Sequence, residues 1–282
     1  MISGQLTLPH GSKAAGAQLY WQSWLPVGPI KAAVLLVHGY AEHLGRYEHV
    51  AVSLNAQGYA VYALDHWGHG RSDGTPGFVP AFSVFTDGLE ALLAKVEAAH
   101  PGLPLVLVGH SMGGLIAATH LVTHQKHYTC AVLSGPAIAP GEPPSALTLW
   151  IGRLLARIAP RVGVLALDAN AVSRDPAVVA AYKADPLVYS GKIGARLGNE
   201  MLSAMSAIQQ AAPAITLPIL IMHGALDSLA APHGSQLLFD RLGSSDKTLK
   251  LYPGLFHEIF NEPEQDMVIA EMNAWIAAHL PV

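Results

Sequence analysis

The stretch from Pro104 to Ala118 constrains this chain more than any other. It reads Pro104-Leu105-Val106-Leu107-Val108-Gly109-His110-Ser111-Met112-Gly113-Gly114-Leu115-Ile116-Ala117-Ala118. The apolar run Leu105 to Val108 predicts a strand buried on both faces. A G-x-S-x-G turn follows at once, and a helix-forming run follows the turn. In this succession a strained backbone lifts a serine hydroxyl above the end of a sheet, poised as a nucleophile. Gly109 and Gly113 fit a backbone so tight that a Cβ at either position would meet the neighbouring strand or helix.

The pattern occurs twice. Gly70-Arg71-Ser72-Asp73-Gly74 also matches, but no apolar strand runs directly into it, and Thr75-Pro76-Gly77 behind it blocks a helix. Ser111 is therefore the candidate nucleophile and Ser72 a loop serine. The competing reading of Ser111 is a plain strand-to-helix turn.

Buried strands alternate with helical patterns along most of the chain. Residues 4 to 25 alternate loosely and predict antiparallel edge strands. Strands are predicted at Ala32 to Val37, Tyr59 to Leu64 and Thr129 to Leu133. Helices are predicted from about Tyr47 to Ala56 and from Phe85 to Ala99, the latter with Phe85, Leu89, Leu92, Leu93 and Val96 on one face. The sheet resumes at Pro218 to Met222 and closes at Thr248 to Tyr252, ahead of a last helix over about Glu264 to His279. The implied fold class is α/β, a mostly parallel sheet with helices on both faces.

The rhythm breaks at Ser134. Pro136, Pro140, Pro143 and Pro144 predict a loop. A helix then carries Leu147, Trp150, Ile151, Leu154, Leu155 and Ile158 on one face. Irregular sequence is expected up to Gly191, then a helix from about Ile193 to Ala211. An insertion here would fold over the carboxyl ends of the strands, where α/β sites lie. The expected division is a core of residues 1–135 and 208–282, with a mainly helical cap at 136–207. For the Trp150 and Leu154 face two compatible readings stand: packing on the core, or lining a substrate pocket.

Composition narrows the function classes. The 282 residues are 51% hydrophobic and only 13% charged, which suits one large domain with a deep pocket or a greasy face. Net charge is −4 without a basic block, so nucleic acid is not an expected partner. Cys130 is the single cysteine and reads as a buried core thiol. With no signal-peptide pattern and no apolar run of membrane-spanning length, a soluble cytoplasmic protein is the expectation.

A serine nucleophile needs a base, and the base needs an orienting carboxylate, in this kind of sheet in the order Ser, Asp or Glu, His. Asp227 follows the strand ending at Met222, and His257 follows the strand ending at Tyr252. The chain has 15 histidines, so His257 counts by its place, not its type. The competing readings are a helix N-cap for Asp227 and a loop histidine for His257. The two amides that an oxyanion requires should come from Met112, directly after the nucleophile, and from Tyr40 in the loop after the Ala32 to Val37 strand.

Six segments together carry a family resemblance. They are His38-Gly39-Tyr40-Ala41-Glu42-His43-Leu44-Gly45-Arg46-Tyr47, Asp65-His66-Trp67-Gly68-His69-Gly70-Arg71-Ser72, Gly109 to Gly114, Asp185-Pro186-Leu187-Val188, His223-Gly224-x-x-Asp227, and Lys247 through Glu258. From about Ala17 to the C-terminus the chain resembles the monoacylglycerol lipases of the α/β-hydrolase superfamily. The resemblance implies an α/β-hydrolase fold and a triad of Ser111, Asp227 and His257. It also implies oxyanion amides at Tyr40 and Met112, and a polar glycerol pocket at Glu42, Arg46, His110 and Tyr182. Tyr40-Ala41 stands where many members carry small residues, which bears on pocket width.

The reading is a serine ester hydrolase that forms an acyl-enzyme, needs no cofactor, and takes as partner a small lipid ester with one aliphatic chain. Transient contact of the cap with a membrane or micelle is a further expectation. Alternatives are a broad carboxylesterase for short or aryl esters, or a non-catalytic binder, although no triad member is missing. An aspartate nucleophile is disfavoured because Ser111 holds the elbow. His120, His124 and His127 share a helix face, but no carboxylate or cysteine in the sequence completes a metal set, so no metal is expected. His66 and His69 read as structural. Acyl length and oligomeric state stay open.

Overall fold

A computed structural model describes residues 1–140 and 145–281. Pro143 and Pro144 of the expected proline loop lie outside the described residues. The chain opens with β1 (Ile2–Thr7) and β2 (Gln18–Trp24), then β3 (Ala32–Val37), α1 (Glu48–Ala56), β4 (Tyr59–Leu64) and α2 (Ser83–Ala99). β5 (Leu105–His110), α3 (Met112–His124) and β6 (Cys130–Ser134) follow. After the insertion come β9 (Ile219–Gly224), α7 (Pro232–Arg241), β10 (Lys247–Tyr252) and α8 (Gln265–His279). Eight of these strands make one sheet in the order β1-β2-β4-β3-β5-β6-β9-β10. β1 and β2 pair antiparallel, as the loose alternation predicts, and the other six run parallel.

Every residue of β3, β4, β5, β6 and β9 is buried, so these strands read as unbroken apolar runs. The pleat sends alternate residues to two separate cores. Ala33, Leu35 and Val37 pack with Leu89 and Leu92 of α2 and Leu115 of α3. Ala32, Val34 and Leu36 pack with Val50 and Leu54 of α1 and Met272 of α8. The sheet is thus clamped on both faces, and its parallel strands all present their carboxyl ends to one edge.

The insertion between β6 and β9 holds α4 (Ala146–Ile158), β7 (Gly163–Leu165), α5 (Pro176–Ala184), β8 (Ile193–Gly194) and α6 (Ala195–Ala211). The stretch expected to be irregular contains β7, a 3-10 turn at Ala169–Ala171 and α5. β7 pairs antiparallel with β8, and α5 starts on Asp175, whose side chain accepts from the Ala177 N–H, with Pro176 in its first turn. α6 runs through the expected boundary at 207, and its Ala204, Met205 and Ile208 belong to the main core. Among the described residues no helix is long and apolar enough to cross a membrane.

Candidate active site

Ser111 joins β5 to α3 with φ 54° and ψ −121°. A non-glycine residue there costs on the order of 1–3 kcal/mol and persists only where surroundings over-determine it. Here they do: the Ser111 N–H donates to the Ser134 carbonyl at 3.0 Å, and its carbonyl accepts from the Leu115 and Ala137 N–H groups. Gly113 is required, since a Cβ on it would lie 2.1 Å from the Val37 carbonyl oxygen and 2.4 Å from that of His38. Among the described residues the non-glycine positive φ values fall at Ser111 and Ala41 only, both in this corner of the molecule.

Three loops at the carboxyl edge bring the triad candidates together. His257 Nε2 lies 2.9 Å from Ser111 Oγ. Its Nδ1 lies 2.6 Å from Asp227 Oδ2. The carboxylate is itself held, because Oδ1 accepts from the Leu229 and Ala230 N–H groups at 2.8 and 2.9 Å. Asp227 therefore does not cap a helix; α7 starts five residues later, at Pro232. Burial alone would raise the Asp227 pKa, but His257, His223 and the amide of Ala230 outweigh it and hold the group ionised well below the usual range. Burial opposes charge on His257, yet Asp227, with Glu258 and Glu42 behind it, raises its pKa above the ordinary value. In chemical terms the ring can take a proton from Ser111 and hold it beside a fixed anion.

The loop after β3 faces this group. His38 Nδ1 is 2.7 Å from the Gly39 carbonyl, and its Nε2 accepts from the His66 N–H at 3.0 Å, which fixes the ring as a neutral bridge between two loops. Glu42 Oε1 accepts from the Gly39 N–H and the Tyr47 hydroxyl, both at 2.6 Å. The loop is thereby pinned with the Tyr40 and Met112 amides unengaged by any acceptor among the described residues.

A cavity of about 400 Å³ opens over Ser111 and His257. Glu42, His110 and Tyr182 line it, as do Tyr40, Val172, Val188 and Leu229. Arg46 stands behind that wall. It donates to Glu42 Oε2 at 2.9 Å, grips Glu258 with two bonds of 2.6 and 2.7 Å, and lies 4.7 Å from the centre of the Tyr182 ring. Glu258 also lines the cavity, a role its sequence place directly after His257 did not suggest. His110 is buried against His257, with ring centres 4.8 Å apart, and desolvation lowers its pKa to about 3. It stays a neutral wall residue.

Trp150 and Leu154 are not among the cavity residues, nor do they pack on the core. They stand 61% and 42% exposed on α4, with Leu147, Ile151 and Ile158 beside them. Helical spacing revealed one face but not its direction, and α4 turns that face outward. Ser72 is a loop brace: its Oγ accepts from the Tyr20 N–H at 2.8 Å and donates to the Asp65 carbonyl at 2.5 Å. The helix-face histidines do find carboxylates, which arrive from α2. His127 meets Glu97 at 2.7 Å and His124 approaches Glu90 at 3.8 Å, while His120 bonds the Tyr128 hydroxyl. No group of three or more such side chains is arranged to hold a metal among the described residues.

A parallel sheet of this order, with a strained serine over its edge bonded to a histidine that is bonded to an aspartate, defines a serine hydrolase of the α/β-hydrolase class. The family profile described as serine aminopeptidase, S33, matches residues 28–264. The chain is 44% identical to a monoacylglycerol lipase of Mycolicibacterium smegmatis, over 99% of this chain and 100% of that one. It is 35% identical to the monoglyceride lipase of Rattus norvegicus, over 98% and 92%. The crystal structure of the Paleococcus ferrophilus monoacylglycerol lipase superposes with a TM-score of 0.84 at 31% identity, covering 93% of this chain and 99% of that one. The chain belongs to the monoacylglycerol lipase family of the α/β-hydrolase superfamily.

Proposed function

We propose that this enzyme hydrolyses monoacylglycerols, with Ser111 as nucleophile, His257 as base and then acid, and Asp227 as the orienting anion. Ser111 Oγ attacks the ester carbonyl as its proton passes to His257 Nε2. The Tyr40 and Met112 amides stabilise the oxyanion, and His257 returns the proton to the departing glycerol. Water, deprotonated by the same ring, then frees the fatty acid and Ser111. The observation that carries this reading is the continuous hydrogen-bond chain from Ser111 through His257 to Asp227.

Glu42, His110 and Tyr182 would receive the glycerol hydroxyls, with Arg46 and Glu258 holding Glu42 and Tyr182 in position. Residues 136–207 would act as a cap, the last turns of α6 anchoring it on the core. Its exposed apolar face, Leu147, Trp150, Ile151, Leu154 and Ile158, would rest on a micelle or membrane surface while the substrate enters. The names of the relatives support the substrate class. The test is kcat/KM across monoacylglycerols, triacylglycerols and p-nitrophenyl esters of graded length. Monoacylglycerols should be preferred. Equal values for short aryl esters would replace the reading with a broad carboxylesterase.

A further inference from the structure

The Asp227 carboxylate serves two histidines. His223, near the end of β9, is fully buried, and its Nε2 lies 3.0 Å from Asp227 Oδ2, the same oxygen that His257 uses. That nitrogen also lies 3.1 Å from the Ala230 carbonyl. Facing two acceptors, Nε2 carries the proton and donates. On the far side, Nδ1 lies 2.6 Å from the hydroxyl of Ser235, a fully buried residue of α7. A neutral ring with its proton on Nε2 accepts from that hydroxyl, so Ser235 and Ala230 together select the tautomer that donates to the carboxylate.

We infer that His223 is a positioning residue for the proposed reaction, holding the Asp227 carboxylate square to His257 with Ser235 fixing its tautomer. The inference rests on the triad reading above. Its physical basis is lone-pair accounting. Two amides occupy Oδ1 and two imidazoles occupy Oδ2, which uses the four acceptor directions a carboxylate offers. Without His223, Oδ2 would keep one donor, and the group could rotate away from His257. A carboxylate turned away would support the charge on His257 less well, since that contact is what raises its pKa. His257 would then give up its proton at lower pH. The other groups facing it are Ser111, His110, Glu258 and Glu42, none of which a change at His223 touches.

Two amide variants separate this role from simple packing. The terminal nitrogen of His223→Gln reaches the place of Nε2, whereas that of His223→Asn reaches only the place of Nδ1. His223→Asn should lower kcat by about tenfold or more with KM within about twofold, and move the acid limb of kcat/KM down by about half a pH unit. His223→Gln should restore kcat to within a few-fold of wild type and return the limb. If His223→Asn does not fold, Ser235→Ala carries the test, with a smaller fall in kcat and a limb displaced the same way. The idea is overturned if folded His223→Asn, or Ser235→Ala in its place, keeps wild-type kcat and limb, or if Gln and Asn variants lose activity alike. Fluorophosphonate labelling of wild-type Ser111 is run alongside: its failure would sink the triad reading itself, whereas labelling with an unmoved limb would sink only the role of His223.

Discussion

Mild acid should unfold this protein through its buried neutral histidines. Desolvation is the first cause at each of four sites, lowering His66, His110 and His120 to about 3 and His69 to about 4. His38 shifts in the same direction. In the unfolded chain these groups titrate near ~6.5, so as pH falls the unfolded state takes up protons that the folded state refuses. Their contribution to stability is full above about 6.5 and is lost as pH falls toward the folded values. Each group gives a slope of ~1.4 kcal/mol per pH unit, and four give about 5 kcal/mol per unit below pH ~6.5. His257 has the opposite sign. Its raised pKa adds stability that is complete below about 6.5, so it does not offset the slope there. Asp227, shifted down, loses its contribution only below the carboxylate range, outside this window. Between pH 7.5 and 5.5 the four groups lose about 5 kcal/mol, of which the gain at His257 above about 6.5 returns only a small part, and the sum is comparable to the whole stability of many domains. Urea unfolding at half-unit intervals measures it, read as the midpoint at constant m. His66→Leu sharpens the test, since neither ring nitrogen of His66 has a hydrogen-bond partner and its ring rests edge-on against Phe85. That variant should lose one proton, about 1.4 kcal/mol per pH unit, from the slope. Equal stability at pH 7.5 and 5.5 would refute the reasoning.

Other outcomes follow from single contacts. Because the Asp227 carboxylate raises the pKa of His257, kcat/KM should rise with pH to a plateau through a midpoint above ~6.5. A midpoint below about 6, read in a pH–rate profile, would contradict that sign. Gly113→Ala drives a methyl into two carbonyls and should cost at least about 1–3 kcal/mol in urea unfolding and most of the activity. Trp150→Ala and Leu154→Ala should leave Tm and the turnover of a soluble short ester unchanged, and slow hydrolysis of long-chain substrate on vesicles. A uniform loss with a lower Tm would return that face to the core.

Much of the architecture was legible because buried parallel strands leave an unambiguous trace. Ala32 to Val37, Leu105 to Val108 and Ile219 to Met222 are short apolar runs bounded by turn residues, and all three lie inside the sheet. The serine, aspartate and histidine were legible by position at strand ends, and the structure brings all three within hydrogen-bond reach. β7 was hidden because three exposed residues carry no alternation to read. α5 carries a readable start signal in Asp175-Pro176, set in otherwise loop-like sequence. The direction of the Trp150 face follows from how α4 meets α6, which periodicity does not encode. Glu258 and His223 escaped because their value lies in long-range pairing, with Arg46 in one case and with Ser235 and Asp227 in the other.

The central claim is that Ser111 is the nucleophile and Ser72 a brace. Intact-protein mass spectrometry after reaction with a fluorophosphonate, on wild type, Ser111→Ala and Ser72→Ala, tests it most directly. One adduct on wild type and on Ser72→Ala, mapped to Ser111, with none on Ser111→Ala, is the predicted result. An adduct that survives Ser111→Ala would contradict the assignment and the mechanism built on it.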